Sequence, residues 1–300
     1  MSSNVQHGLP VEILIDIFLW VAVIKPVQVK RLCLVARAFR TCIQPELYRT
    51  VVLSSVESAL CFLRTIETSS NPDFSQYTST LIFRKAKSLP GSSEVLDIQS
   101  HNRILTRCSG LRSLFWCTGM GLRSKELPPT PNLRYLSVMT VYELGQFTLP
   151  PTVTHLSIYH VDDISLRGHS RQWRVIANHP SLTHVAVWMR ETTRSSQDNV
   201  AMKVAGWSAT CKNLQMLVVA IEDSPLNYTA GDGIADAARY HNRIVPMGLY
   251  SFIPDNHPWL PRERTRNIDA LFGYDYPVPG EDDIWTRTER IRSSRTNGPA

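Results

Sequence analysis

The sequence predicts an α/β architecture: a small helical N-terminal segment, then an irregular solenoid of stacked helix–strand units built on a parallel sheet. Three observations carry this. The first fifty residues hold apolar positions at helical spacing. From residue 78 onward the pattern apolar-x-x-apolar-x-apolar recurs, at starts 33, 22, 20, 29, 32 and 30 residues apart. Helix-like stretches separate most copies, and helix, turn and strand in repetition make a parallel sheet.

In chain order, Leu9-Pro10 opens a stretch in which Ile13, Ile17, Val21 and Ile24 share one helical face, widened by Leu14, Phe18 and Trp20. Pro26 ends it. A second amphipathic stretch, Val29 to Cys42, sets Leu32, Val35, Ala36 and Phe39 against Lys30, Arg31, Arg37 and Arg40. Pro45-Glu46-Leu47-Tyr48 leads into an extended Val51-Val52-Leu53. Helices this short and this apolar cannot bury their surface among themselves, so the segment is expected to need a partner.

The repeat copies are Leu111/Leu114/Trp116, Leu133/Leu136/Val138, Val153/Leu156/Ile158, Leu182/Val185/Val187, Leu214/Leu217/Val219 and Ile244/Met247/Leu249, with a weaker Thr78/Leu81/Phe83. Helices are expected over Val56 to Ile66, Glu94 to Arg107, Arg171 to Asn178, Val200 to Ala209 and Ile234 to His241. Pro128-Pro129 and Pro150-Pro151 interrupt the two shortest units, which are expected to lack a full helix. From about residue 255 Trp259, Phe272, Tyr274, Tyr276 and Trp285 stand among balanced charges, and a last helix is expected to start near Asp282-Asp283-Ile284-Trp285. The expected boundaries are 1–54 for the helical module, 55–254 for the repeats and 255–300 for a capping segment and loose tail.

Composition narrows the functional classes. A chain 43% hydrophobic and 19% charged can bury a core and is not disordered. The longest apolar run, Val11 to Ile24, is too short to span a bilayer, contains Glu12 and Asp16, and lacks the flanks of a secretory signal, so a cytoplasmic or nuclear location is expected, with no membrane partner. Cys33, Cys42, Cys61, Cys108, Cys117 and Cys211 contain no C-x-x-C pair and read as buried thiols. Residues 81–125 hold Arg84, Lys85, Lys87, Arg103, Arg107, Arg112, Arg123 and Lys125 against Glu94 and Asp97, a surplus equal to the net charge of +6. Without a nucleic-acid-binding motif this reads as a solvated face.

Catalytic chemistry was sought by motif. His155, His160, Asp162 and Asp163 are close in sequence, but on a strand the two histidines point to opposite faces, which spoils a metal site. Gly119-Met120-Gly121 lacks the third glycine of a dinucleotide loop, and neither a G-x-x-x-x-G-K-[ST] loop nor a G-x-S-x-G elbow is present. The expectation is a protein without catalytic residues, cofactor or metal.

Leu9-Pro10-Val11-Glu12-Ile13-Leu14-Ile15-Asp16-Ile17-Phe18 resembles the opening of an F-box, and Leu32-Cys33-Leu34-Val35-Ala36-Arg37-Ala38-Phe39-Arg40 is similar to that family's second segment. Pro45-Glu46-Leu47-Tyr48-Arg49-Thr50-Val51 looks like the exit seen in fungal F-box proteins with leucine-rich-repeat-like regions. Ala36 stands where Ser or Cys is usual, and Phe39 where Trp is common. Gly119, Val141, Val161, Arg190 and Glu222 occupy the positions where a regular leucine-rich repeat has Asn or Cys, so an irregular solenoid is expected.

The resemblance implies a non-catalytic substrate-recognition subunit of a Skp–cullin–F-box ubiquitin ligase. Leu9, Pro10, Ile13, Leu14, Ile17, Phe18, Leu32, Val35 and Phe39 would meet the Skp adaptor, which leads to a cullin, and the repeats would hold an unknown protein target. The alternatives are an F-box or repeat scaffold acting outside a ligase, or a nucleic-acid-associated protein using the basic 81–125 region. If the second and third apolar positions of each repeat face the core, the opposite face carries the candidate target residues Phe115, Tyr135, Met139, His155, Tyr159, His184 and Trp188, with Met216. Two states of that face remain open: an apolar protein-binding groove, or a surface buried under the aromatic C-terminal segment.

Overall fold

A computed structural model describes residues 13–14, 16–17, 44–68, 73–84, 96–117, 127–140, 144, 148–161, 170–189, 197–221, 234, 237–248 and 284–296. Eight strands form one sheet: β1 (Thr50–Leu53), β2 (Thr80–Arg84), β3 (Ser113–Cys117), β4 (Tyr135–Thr140), β5 (His155–Val161), β6 (His184–Met189), β7 (Met216–Ile221) and β8 (Ile244–Gly248). Every strand lies parallel beside its neighbour in the chain, in the order β1 to β8. The described helices include α1 (Val56–Thr68), α2 (Asp73–Tyr77), α3 (Ile98–Arg107), α4 (Ser170–Ala177), α5 (Gln197–Thr210) and α6 (Ile284–Thr296). No helix among the described residues is long and apolar enough to cross a membrane.

The register reproduces the repeat. Leu81, Leu114, Leu136, Leu156, Val185 and Leu217 form one continuous row, and Phe83, Trp116, Val138, Ile158, Val187 and Val219 belong to the next inward row. Both rows are buried in one core with Phe62 and Leu63 of α1, Ile104 and Leu105 of α3, Trp173 and Ile176 of α4, and Val204 of α5. Alternation along a strand thus sends the second and third repeat positions under one helical layer.

Local chemistry fixes the helix starts. Ser55 and Ser58 cap α1 reciprocally, each amide donating to the other's hydroxyl at 3.0 and 3.1 Å. Asp97 accepts from the Ser100 amide at 2.8 Å and from its hydroxyl at 2.6 Å, so α3 begins at Ile98 rather than at Glu94. Those bonds hold the Asp97 carboxyl below its ordinary value, the Ser100 hydroxyl foremost. Arg103 of α3 grips Glu67 of α1 through two bonds, at 2.9 and 2.5 Å. Between β4 and β5 the described Leu144 is helical, and residues 118–126, 141–143 and 145–147 of the two connections lie outside the described residues.

Three features differ from expectation. First, the sheet begins at Thr50, within the stretch assigned to the first module: Val51 and Leu53 pair with Leu81 and Phe83, and Tyr48 packs against the main core. Second, Ile244 lies opposite Leu217 and so holds the second repeat position, not the first. Its amide still donates to His241 O at 2.9 Å, the bond that Leu214 makes to Cys211 at the first position. The final unit therefore runs straight from turn to strand, three residues short, which is why pattern alone misplaces it.

Third, asparagines do join successive units, though not at the positions of a regular repeat. Asn132 and Asn213, each preceding a first-position leucine, donate to Ser109 O at 2.9 Å and Pro180 O at 2.8 Å in the turn of the previous unit. Pro246, opposite Val219, sits in the last strand, where a missing N–H is tolerated.

Two glycines test the packing in opposite directions. A Cβ on Gly110 would lie 2.0 Å from Gln76 O, whereas one on Gly206, mid-helix in α5, would meet nothing within 4 Å. Gly110→Ala should lower stability by about 1–3 kcal/mol through overpacking, and Gly206→Ala should raise it by about 0.5–1 kcal/mol through backbone entropy. Chemical denaturation of the two variants checks both signs.

Candidate functional site

The side of the sheet away from the helical layer carries the residues between the repeat positions. Ile82, Phe115, Tyr159, Ala186, Trp188, Met216, Val218, Ala220 and Val245 form a second buried cluster there, together with Ile284 and Trp285 of α6. Met139 and Ile291 flank it, partly buried. Strand parity thus brings the candidate target residues Phe115, Tyr135, Met139, His155, Tyr159, His184 and Trp188 onto one face.

That face is covered. Phe115, Tyr159 and Trp188 are buried, His155 and His184 half-buried, and of the seven only Tyr135, at 36%, counts as exposed. Of the two states left open for that face, the buried one holds at Phe115, Tyr159 and Trp188, whose apolar surface would otherwise lie in water. Sequence reasoning had offered the aromatic C-terminal segment as a cover. Trp285 is the described aromatic that does it, while Trp259, Phe272, Tyr274 and Tyr276 lie outside the described residues.

The centre of the face is a row of aromatic rings at the first position of successive strands. Tyr135 and His155 stand 4.4 Å apart between centroids, and His155 and His184 stack at 4.2 Å with 12° between planes. Trp285 meets both imidazoles edge-on, at 5.0 and 5.6 Å. Each histidine Nδ1 lies 2.8 Å from the hydroxyl of the preceding threonine, Thr154 or Thr183. Those hydroxyls also lie 3.4 and 3.2 Å from Arg134 O and Thr154 O, to which they can donate. Nε2 of His184 faces Oε1 of Glu289 at 4.0 Å.

Burial pushes His155 down to about 3, with the adjoining His184 a second cause. His184 is also lowered, chiefly by burial, with Glu289 opposing and Arg292 assisting. Ser113, Ser137 and Ser157 line a small dimple beside Tyr135, His155 and Trp285. With both Nδ1 atoms committed to threonines, the row is arranged to pack the C-terminal helix, and the imidazoles are held neutral beneath it.

Ile13 and Ile17, i and i+4 on one helix, are 46% and 44% exposed, and Leu14 is half-buried. Leu9, Pro10, Phe18, Leu32, Val35 and Phe39 lie outside the described residues. So do Lys85, Lys87, Arg123 and Lys125 of the basic region and the side chain of Arg84, while Arg103 is neutralised by Glu67. The side chain of His160 is likewise outside, and among the described residues no cluster of three metal-ligating side chains occurs. Burial pushes the Cys108 thiol up to about 12, far from a thiolate at neutral pH. Ile284 is legible in the sequence only as part of the expected start of the last helix, and Ile291 is not singled out there, because isoleucines among arginines and threonines carry a weak periodic signal.

The histidines give the docked helix a pH dependence of definite sign. Their folded values lie below the ordinary 6.5, so the packed neutral pair contributes fully above pH 6.5 and its contribution is lost as pH falls from 6.5 towards the folded value of about 3 for His155. The thermal midpoint should fall between pH 7 and pH 5, and His155→Phe should flatten that dependence when the two melting series are compared. Neither a family model nor a curated protein matches this chain.

Proposed function

We propose that the chain is the non-catalytic substrate-recognition subunit of a Skp–cullin–F-box ubiquitin ligase, docking the Skp adaptor through its first forty residues and a protein target through the repeat sheet. The observation that carries this is the F-box-like opening, Leu9 to Phe18, followed in order by the matching segment Leu32 to Arg40. The exposure of Ile13 and Ile17 supports it: two isoleucines one turn apart are turned outward on a helix that has apolar residues enough to face inward. Burying such a pair against a partner removes apolar surface from water at about 25 cal/mol per Å². Because Phe115, Tyr159 and Trp188 are buried, the proposed target contact is taken to lie at other residues of the repeat domain.

Co-purification with the Skp adaptor tests the reading, using the full chain, a Leu9→Ala, Pro10→Ala variant and an Ile13→Ala, Ile17→Ala variant. The wild type should capture the adaptor, and both variants should lose most of it with unchanged thermal midpoints. A folded wild-type chain that captures no adaptor would sink the proposal.

A further inference from the structure

The edge at which the strands begin has a charge pattern unlike the rest of the surface. Backbone bonds join residue to residue along it. The Ser79 amide donates to Arg49 O, Arg112 to Ser79, Arg134 to Arg112, Thr154 to Arg134, Thr183 to Thr154 and Gln215 to Thr183, all within 3.1 Å. Arg49, Arg112 and Arg134 thus lie in one row, and Lys212 and Arg243 continue the edge at β7 and β8. All five are exposed. The segments that lead into β3 to β8 (107–112, 127–134, 148–154, 177–183, 209–215 and 237–243) contain no Asp or Glu. At the far end Thr183, Lys212, Gln215, Asn242, Arg243 and Arg292 are among the residues lining an open cleft of about 770 Å³ whose lining includes no carboxylate.

Helix dipoles account for part of this. Arg107 lies in the last turn of α3 and Lys212 just beyond α5, where cations are favoured. Arg112, Arg134 and Arg243 have no such explanation, since they sit at strand starts. Arg112 and Arg134 are on adjacent strands, about 4.8 Å apart, where like charges repel. Arg49 and Arg292 have carboxylate partners, Glu46 at 3.5 Å and Glu289 at 3.3 Å. Among the described residues no acid pairs with Arg112, Lys212 or Arg243, and Arg134 only donates to Thr152 O at 3.1 Å.

We propose that this strand-start edge, from the Arg112–Arg134 pair to the Lys212–Arg243 cleft, docks an extended acidic segment of a partner protein. The geometry favours a polypeptide over a nucleic acid. The two cationic pairs are separated by the β4-to-β7 spacing, about 14 Å, which is also the span of four extended residues and therefore joins side chains on the same side of the segment. Guanidinium groups, three of the four cations, suit carboxylates through paired hydrogen bonds. The edge is a line one or two residues wide, and Tyr240 is the single strongly exposed aromatic along its described part, whereas single-stranded nucleic acid needs a series of stacking rings. The inference rests on the receptor reading in taking the partner to be the target protein.

Fluorescence anisotropy of labelled decaglutamate with the full chain tests it, at about 0.15 M salt where charges are screened beyond about 8 Å. Arg112→Gln, Arg134→Gln and Lys212→Gln, Arg243→Gln double variants alter exposed side chains only. Each should weaken binding about tenfold, which is about 1.4 kcal/mol. An Arg64→Gln, Arg174→Gln variant on the outer surface of the helices removes the same charge and should bind as the wild type. Absence of binding, equal loss in the control variant, or tighter binding of a dT12 oligonucleotide would each overturn the proposal. Adaptor capture by the same double variants should stay unchanged, so a chain that fails here and still captures the adaptor refutes the docking edge alone. A chain that binds the peptide and captures no adaptor refutes the receptor reading alone.

Discussion

A parallel sheet in strict sequential order has two apolar faces and one supply of helices. Because the helices packed between its strands lie on one side, the covering of the opposite face must come from elsewhere in the chain. In strands β6 to β8 the requirement is severe: Ala186, Met216, Val218, Ala220 and Val245 are wholly withdrawn from solvent on the side away from the helical layer. Helix α6 answers part of it with Ile284 and Trp285. The aromatic row, the neutral histidines and the burial of that face all follow from this demand.

The cover is unusual in composition. α6 reads Ile-Trp-Thr-Arg-Thr-Glu-Arg-Ile-Arg-Ser-Ser-Arg-Thr, with few apolar side chains on an arginine-rich helix. It is held by apolar anchors and by the bond from Arg292 to Gln215 O at 3.1 Å. A helix so polar gains little by packing beyond those anchors. Specificity for this site comes from Trp285 seating across two imidazoles that are themselves oriented by Thr154 and Thr183. Removing either threonine hydroxyl would take away the hydrogen-bond partner of an imidazole Nδ1, so the seat depends on the threonines as well as on the rings.

Much of this was legible in the sequence, for a physical reason. An apolar-x-x-apolar-x-apolar unit has one arrangement that buries all three positions, so six of the seven copies fell into register as written. Strand parity then sorted the remaining residues to the second face without further information. The misplacement of Ile244 arose because its turn bond is that of a first position and its strand pairing that of a second, and only the pairing decides register. Val51-Val52-Leu53 is legible as extended but not as the first strand of the repeat sheet, because it lacks a full unit around it. The strand-start charges escaped because they are dispersed in sequence, one or two per unit, and gather only when the units stack. The 81–125 surplus drew attention to a stretch of chain when the physical grouping runs across the chain.

A sheet of identical parallel rungs has open ends, and stacked units invite a further unit or a second molecule to continue the ladder. Leu217 donates to Arg243 O, so in a parallel pair Arg243 and Val245 turn their backbone groups towards β7 and Ile244 and Pro246 turn theirs outward. Pro246 therefore lacks its donor on the free side. With the last unit shortened by three residues as well, an incoming strand would find neither a complete row of donors nor the matching turn. At this edge of the described sheet the proline works against the pairing of a further parallel strand.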